Sequence, residues 1–139
     1  MKRLSSSLIL ILTTLCLTAC GGEDPYEAAV EDMLDVMNDI HDVLTGVTDA
    51  ESAKALESKL GGVSDRLEAW SVTMKDLEEP TEEKRKELEE KYKPRMEELQ
   101  EKMGSELERV AKLGPDVLLP VLEAMGKLKP SEEMPKWME

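Results

Sequence analysis

Met33, Met37 and His41 follow one another at intervals of four residues, a spacing that aligns two thioethers and an imidazole along one side of a helix. Soft sulfur ligands select Cu(I), and an imidazole completes a donor set suited to copper. Met and His are also axial ligands of haem iron. The same residues have a plainer use. Met33 and Met37 fall on an apolar stripe, where methionine fills irregular gaps, and His41 flanks that stripe at its polar border. Packing is the first reading of the three, and a helical bundle binding a small ligand or a metal (copper or haem) is the alternative. Two related constellations are missing from the sequence. A di-iron bundle needs Glu-x-x-His on two helices, and the one histidine here has Asn38 three residues before it. Covalent haem attachment needs Cys-x-x-Cys-His, which does not occur.

A second group is acidic. Between Cys20 and Glu51 there are ten carboxylates and no Lys or Arg. Glu27, Glu31, Asp35, Asp39 and Asp42 recur along this strip, which makes it a candidate docking surface for a basic partner. Carboxylates spread evenly along a helix make poor calcium cages, and no EF-hand spacing is present. Part of the strip is expected to face basic residues further on, such as Arg85, Lys91, Arg95 and Lys102. Catalytic chemistry has less support. No Gly-x-Ser-x-Gly, phosphate-cradling glycine loop or Ser-x-x-Lys in an apolar setting occurs, and His41 alone cannot build a hydrolytic triad without a placed nucleophile. The chain is therefore read as a non-enzyme.

The elements that would position these groups follow from periodicity. Asp24 is a good N-cap and Pro25 suits a first helical turn. From there Tyr26, Val30, Met33, Met37, Ile40, Leu44 and Val47 form one apolar stripe. Thr48-Asp49-Ala50-Glu51 reads as a capping box. A second stripe then runs through Ala53, Leu56, Leu60, Val63, Leu67, Trp70, Met74 and Leu77. Gly61-Gly62 lies inside it, with the phase unchanged on either side, so a continuous helix with a weak middle and a hinge between two shorter helices both fit. Thr81 caps a third helix with Leu88, Tyr92, Met96, Leu99, Met103, Leu107 and Val110 on its apolar side, and Pro94 is expected to kink it. Gly114-Pro115-Asp116 starts a shorter fourth helix with Leu118, Val121, Leu122, Met125 and Leu128. Connections this short make sequence neighbours run antiparallel. The expected fold is all-α, an antiparallel three-helix bundle with a shorter fourth C-terminal helix, with helices at about 25–46, 49–78, 81–113 and 116–129.

Residues 130–139 are punctuated by proline and read as a loose tail. Its Trp137, between Met134 and Met138, suits either folding back over the open end of the bundle or binding a partner as a peptide. The whole chain is strongly acidic. Its first 19 residues hold Lys2 and Arg3 and no acid, so a chain starting at Cys20 keeps 31 acidic residues against 16 basic ones, a net of −15. That balance disfavours nucleic acid, whose phosphates are neutralised by clustered Lys and Arg.

Met1-Lys2-Arg3 precedes an apolar run, dense from Leu8 to Leu17, that ends at Leu17-Thr18-Ala19-Cys20. This is the layout of a secretory signal. Its end resembles the lipobox of bacterial lipoproteins. The resemblance implies cleavage between Ala19 and Cys20, removal of residues 1–19, and a covalent lipid (diacylglycerol, with an acyl chain such as palmitate on the new amino terminus) on Cys20 as the sole cofactor. About ten strongly apolar residues fall short of the roughly twenty that span a bilayer, so the anchor would be lipid, and two or more acyl chains attach stably. Residues 20–24 become a flexible tether, and residues 25–129 the helical body. The implied place is the cell envelope. Gly21 in the sorting position favours the outer membrane, facing the periplasm, where the source has two membranes, and otherwise the outer face of the cytoplasmic membrane. The expected role is a scaffold, spacer or interaction module that contacts the membrane through its lipid and another envelope protein through its body.

Overall fold

The computed structural model describes residues 24–128, and all regular structure among them is helical: α1 (Pro25–Thr45), α2 (Ala50–Lys54), α3 (Leu56–Asp76), α4 (Glu82–Lys112) and α5 (Pro115–Lys127). Ala19, Cys20 and Trp137 lie outside the described residues, as do the expected signal segment and tail. No helix among the described residues is long and apolar enough to cross a membrane.

Local chemistry sets the helix ends. The Asp24 carboxylate accepts from the backbone N–H of Tyr26 (2.9 Å) and Glu27 (3.4 Å), with Pro25 opening the first turn of α1. The next cap differs from the expected one by a residue. Asp49, not Thr48, is the N-cap of α2: its carboxylate accepts from Ser52 N–H at 2.8 Å, and the Ser52 hydroxyl accepts from Asp49 N–H at 3.0 Å. Ser52 holds the reciprocal position because the box counts three residues from the cap. The interruption in the second stripe also moves. Gly61 and Gly62 sit inside an unbroken α3, and the chain turns instead at Ala55. That turn is shallow, since Ala55 N–H still reaches Glu51 O at 3.1 Å and Ala55 O still accepts from Lys59 N–H at 3.3 Å. Thr81 caps α4 as expected (3.2 Å to Lys84 N–H), and α4 continues through Pro94 to Lys112. Gly114, at φ 109° and ψ 169°, turns the chain into Pro115 and α5, a backbone region essentially confined to glycine.

α1 packs against both α3 and α4, which do not pack against each other, while α5 lies against α2, α3 and α4. The contacts fix the order along each helix. On the α3 side, Tyr26 OH donates to Glu78 O (2.9 Å), Trp70 Nε1 donates to Ala29 O (2.7 Å), and Arg66 pairs with Asp39. On the α4 side, Lys91 pairs with Glu27, Arg95 with Glu31, and Arg109 donates to the carbonyls of Leu44 (3.0 Å) and Val47 (2.8 Å). Arg109 thereby adds a charged donor to carbonyls at and just after the end of α1, where Leu44 O also accepts from Val47 N–H at 3.0 Å.

The main core joins Val36, Ile40, Leu44 and Val47 to Ala53, Leu56, Leu60, Val63 and Leu67, closed by Val110 of α4 and by Val117, Val121 and Ala124 of α5. The α3 stripe is buried as its periodicity requires. The α5 stripe is displaced: Val117 and Ala124 are inside, and Leu122 is exposed. The α1 stripe departs most. Only Ile40, Leu44 and Val47 of its members are buried; Tyr26, Val30, Met33 and Met37 are half-exposed, and Ala29, Leu34 and Val36 are buried instead. Two flanking helices bury two flanks of α1, and among the described residues the line between those flanks has no neighbour along its first half.

Candidate functional site: an apolar groove along the first half of α1

That uncovered line forms the floor of a groove of about 320 Å³. Tyr26, Ala29, Val30, Met33, Leu34 and Met37 of α1 line it together with Trp70 and Met74 of α3 and Leu88, Met96 and Gln100 of α4. Most of these residues are the ones that the stripes mark as core. They line a groove here because α3 and α4 stand apart, and α5, which lies between them further along, ends at Lys127. The two walls rest on separate small cores. Ala29, Trp70 and Met74 pack together on the α3 side, and Leu34, Tyr92 and Leu99 on the α4 side.

The lining is hydrocarbon, sulfur and one amide. Four of the nine methionines face it, which gives a flexible, polarisable surface able to mould to different apolar shapes. Trp70 is held on its wall by the indole N–H bond to Ala29 O, and Tyr26 is fixed at the far end through Glu78 O. Met96 remains 42% exposed on the rim. The volume and the apolar lining match those of small-molecule and helix-accepting clefts.

Charge is confined to the flank. Arg95 Nη1 donates to both Glu31 oxygens (2.7 and 2.8 Å), which holds the Glu31 carboxyl below its usual range and the guanidinium further up. Beneath them the Tyr92 ring lies 5.2 Å from Lys91 Nζ and 5.8 Å from the Arg95 guanidinium carbon, and burial pushes its phenol up. At the start of α1, Lys84 Nζ sits 2.7 Å from Asp24, 3.1 Å from Glu87 and 3.6 Å from Glu27. Hydrogen bonding to Asp24 raises the ammonium group and, in return, lowers the Asp24 carboxyl.

The structure distributes the sequence-derived candidates as follows. Met33 and Met37 share the groove lining, and His41, one turn further along α1, stands outside it with Nδ1 3.4 Å from Asp42 Oδ1. Among the described residues no group of three or more His, Cys, Asp or Glu side chains gathers as a metal site. In the acidic strip, Glu27, Glu31 and Asp39 are engaged by Lys91, Arg95 and Arg66, while Asp35 and Asp42 are exposed. Of the four basic residues expected opposite the strip, Lys91 and Arg95 fill that role; Arg85 pairs with Glu79 and Lys102 with Glu98. Of the eleven lining residues only Met33 and Met37 are among the site residues expected from the sequence; the other nine, Leu88, Met96 and Gln100 of α4 among them, are not. The methionines on the three stripes were the signal for Met74 and Met96, and nothing in the sequence marked Gln100. A second hollow, about 380 Å³ and shallower, lies between α2 and the start of α5 and is lined by Ala50, Lys54, Pro115, Asp116, Leu119 and Pro120. No family model, curated protein or solved structure matches the chain.

Proposed function

We propose that this chain is an envelope lipoprotein, held by lipid on Cys20, whose non-catalytic helical body acts by contact and receives the apolar face of a helix from another envelope protein in the α1 groove. The observation that carries the reading is the groove itself, a methionine-rich lining of core-type residues left uncovered on three converging helices. Its position adds support. The groove begins at Tyr26, six residues after Cys20, so a tether from the lipid would join the body at its open end. The architecture in this reading is an antiparallel three-helix bundle with a shorter fourth helix. Supporting it, the contacts of α1 with α3 run in opposite order along the two chains, and those with α4 run in the same order. Outer-membrane attachment remains the expectation from Gly21.

The test is a photo-crosslinking residue placed at Met96, with one at Val72, which is 54% exposed and outside the groove lining, as the reference. In the native envelope the Met96 probe is expected to give a discrete adduct with one protein and the Val72 probe none. Equal labelling from both positions, or none from either, overturns the reading. Cys20→Ser should leave an unprocessed precursor; a processed, lipidated product from that variant would remove the anchor from the proposal.

A further inference from the structure

We propose that the outward face of α5 pairs with the same face of a second copy of this chain, the two helices antiparallel across a two-fold axis. This surface lies away from the groove, so the proposal stands apart from what the groove receives.

The observation behind it is that α5 is apolar on two sides. Its charged residues are Asp116, Glu123 and Lys127, and their spacing sets them on a single line of the helix. Val117, Val121 and Ala124 are buried in the core that α5 shares with α2, α3 and α4. Pro115, Leu119, Leu122 and Gly126 form a second stripe, and all four are exposed. Leu119 is 64% and Leu122 50% exposed, and Leu113 just before the helix adds another bare side chain. A helix apolar on nearly every side is one that is ordinarily covered on every side.

Three properties of the face point to a copy of itself. The first is spacing. The stripe advances by four, three and four residues, a pattern that reads the same in either direction. Two such helices laid antiparallel set Leu119 opposite Leu122 of the second copy and Pro115 opposite its Gly126, with each contact made twice. That self-complementarity is what a two-fold interface requires.

The second is shape. The hollow of about 380 Å³ between α2 and the start of α5 lies beside Leu119, where Leu122 of the second copy arrives. Gly126 leaves room for the opposing proline, since a Cβ built on it meets no atom within 4 Å.

The third is charge. The acidic strip belongs to α1, which α5 does not touch. Around the α5 stripe both signs are present, Lys54 and Asp116 at its start and Glu57, Glu123 and Lys127 at its end. Antiparallel pairing brings each start to the other's end, so that Lys54 approaches the two glutamates and Asp116 approaches Lys127, with the helix dipoles opposed. A parallel pair would set like charges together. Copies of so acidic a chain repel one another over most of their surface, and this balanced face is where two can meet. The contact is one helix about 20 Å long on each side, at the small end of specific interfaces, so the pair is reversible.

Two differently tagged copies of the full chain, made in the same cells, test this, with an aliphatic photo-crosslinking residue at Leu122 of one copy. Irradiation is expected to yield an adduct carrying both tags, joined within residues 115–120 or 50–54 of the other copy. Leu119→Glu in both copies should lower the yield about tenfold or more, with an unchanged thermal melt. Gly126→Leu should lower it similarly. A Cβ there meets no atom of its own chain, so this variant decides the matter should Leu119→Glu disturb the fold. Absence of a doubly tagged adduct overturns the proposal. So does joining at Leu122 or Gly126 of the other copy, which assigns a parallel pair, or a yield that both variants leave unchanged. An adduct from Leu122 with a different protein or with lipid in place of the second copy overturns it as well, by assigning the face to that occupant. None of these outcomes bears on the Met96 crosslink, which reads the groove alone.

Discussion

The two halves of α1 carry the same kind of sequence and meet different surroundings. In the second half Ile40, Leu44 and Val47 belong to one core shared with residues of α2, α3, α4 and α5, and Leu44 is fully buried. In the first half Val30, Met33 and Met37 continue the stripe at the same period, but they form the floor of an open groove. The difference lies in the neighbour: α5 fills the gap that α3 and α4 leave at one end and stops before the other. An apolar stripe therefore reports that a face is suited to burial. Whether that face is covered depends on where another element ends, and here that point is Lys127.

The contrast can be broken most directly by truncation. Leu44→Ala at the enclosed end is expected to cost about 3–5 kcal/mol, because its surroundings are packed on every side. Met37→Ala at the open end should cost about 1 kcal/mol or less, since the side chain is only partly removed from water in the free groove. Urea unfolding of both variants decides it, and similar losses would mean the two ends are equally filled. Trp70→Phe comes next. It removes the indole N–H bond to Ala29 O while keeping an aromatic ring on the groove wall, with an expected loss of about 1–2 kcal/mol in the same measurement.

Gly61 stands at the boundary, facing the hollow where α5 ends. A Cβ added there meets no atom within 4 Å, and the residue is helical, so Gly61→Ala should stabilise by about 0.5–1 kcal/mol. A loss instead would place a hinge at the join between the two halves. The smallest effect expected is from pH, and it belongs to the open end. The Asp24 and Glu31 carboxyls are held below their usual range, Asp24 chiefly by Lys84 and Glu31 chiefly by Arg95. A lowered folded-state value means the stabilisation is complete above the ordinary carboxylate range and is lost as pH falls through the folded values. Thermal midpoints should be flat near neutrality and fall below about pH 4. The fall should be shallower in Asp24→Asn, with an unchanged slope arguing that the ion pair contributes nothing to the fold.

Much of the helical layout could be read from the residues, and each departure has a local cause. The α3 stripe was legible throughout, from Ala53 to Met74, because one packed face leaves one regular signal. The Gly61-Gly62 pair was an ambiguous mark, as glycine weakens a helix without having to break it when both neighbouring turns are held by Leu60 and Val63. The shallow turn at Ala55 carried no mark, alanine being the strongest helix former. The capping box was read one residue early, as Thr48 with Glu51, because the spacing of Asp49 and Ser52 satisfies the same three-residue count. The groove was the least legible feature. Met33 and Met37 drew attention as sulfur ligands paired with His41, whereas the structure groups them with Trp70, Met74 and Met96, residues brought together only by the separation of α3 from α4.

The backbone at Gly114 has a consequence beyond ending a helix. At φ 109° this residue reverses the chain so that α5 returns along the body that α4 has just left. Were that torsion to open, α4 and α5 would extend away from each other, and the place α5 occupies would be equally complementary to the α5 of a neighbouring molecule. Exchange of such an element between identical chains is the route called domain swapping. The hinge for such an exchange is a residue that contributes no side chain at all.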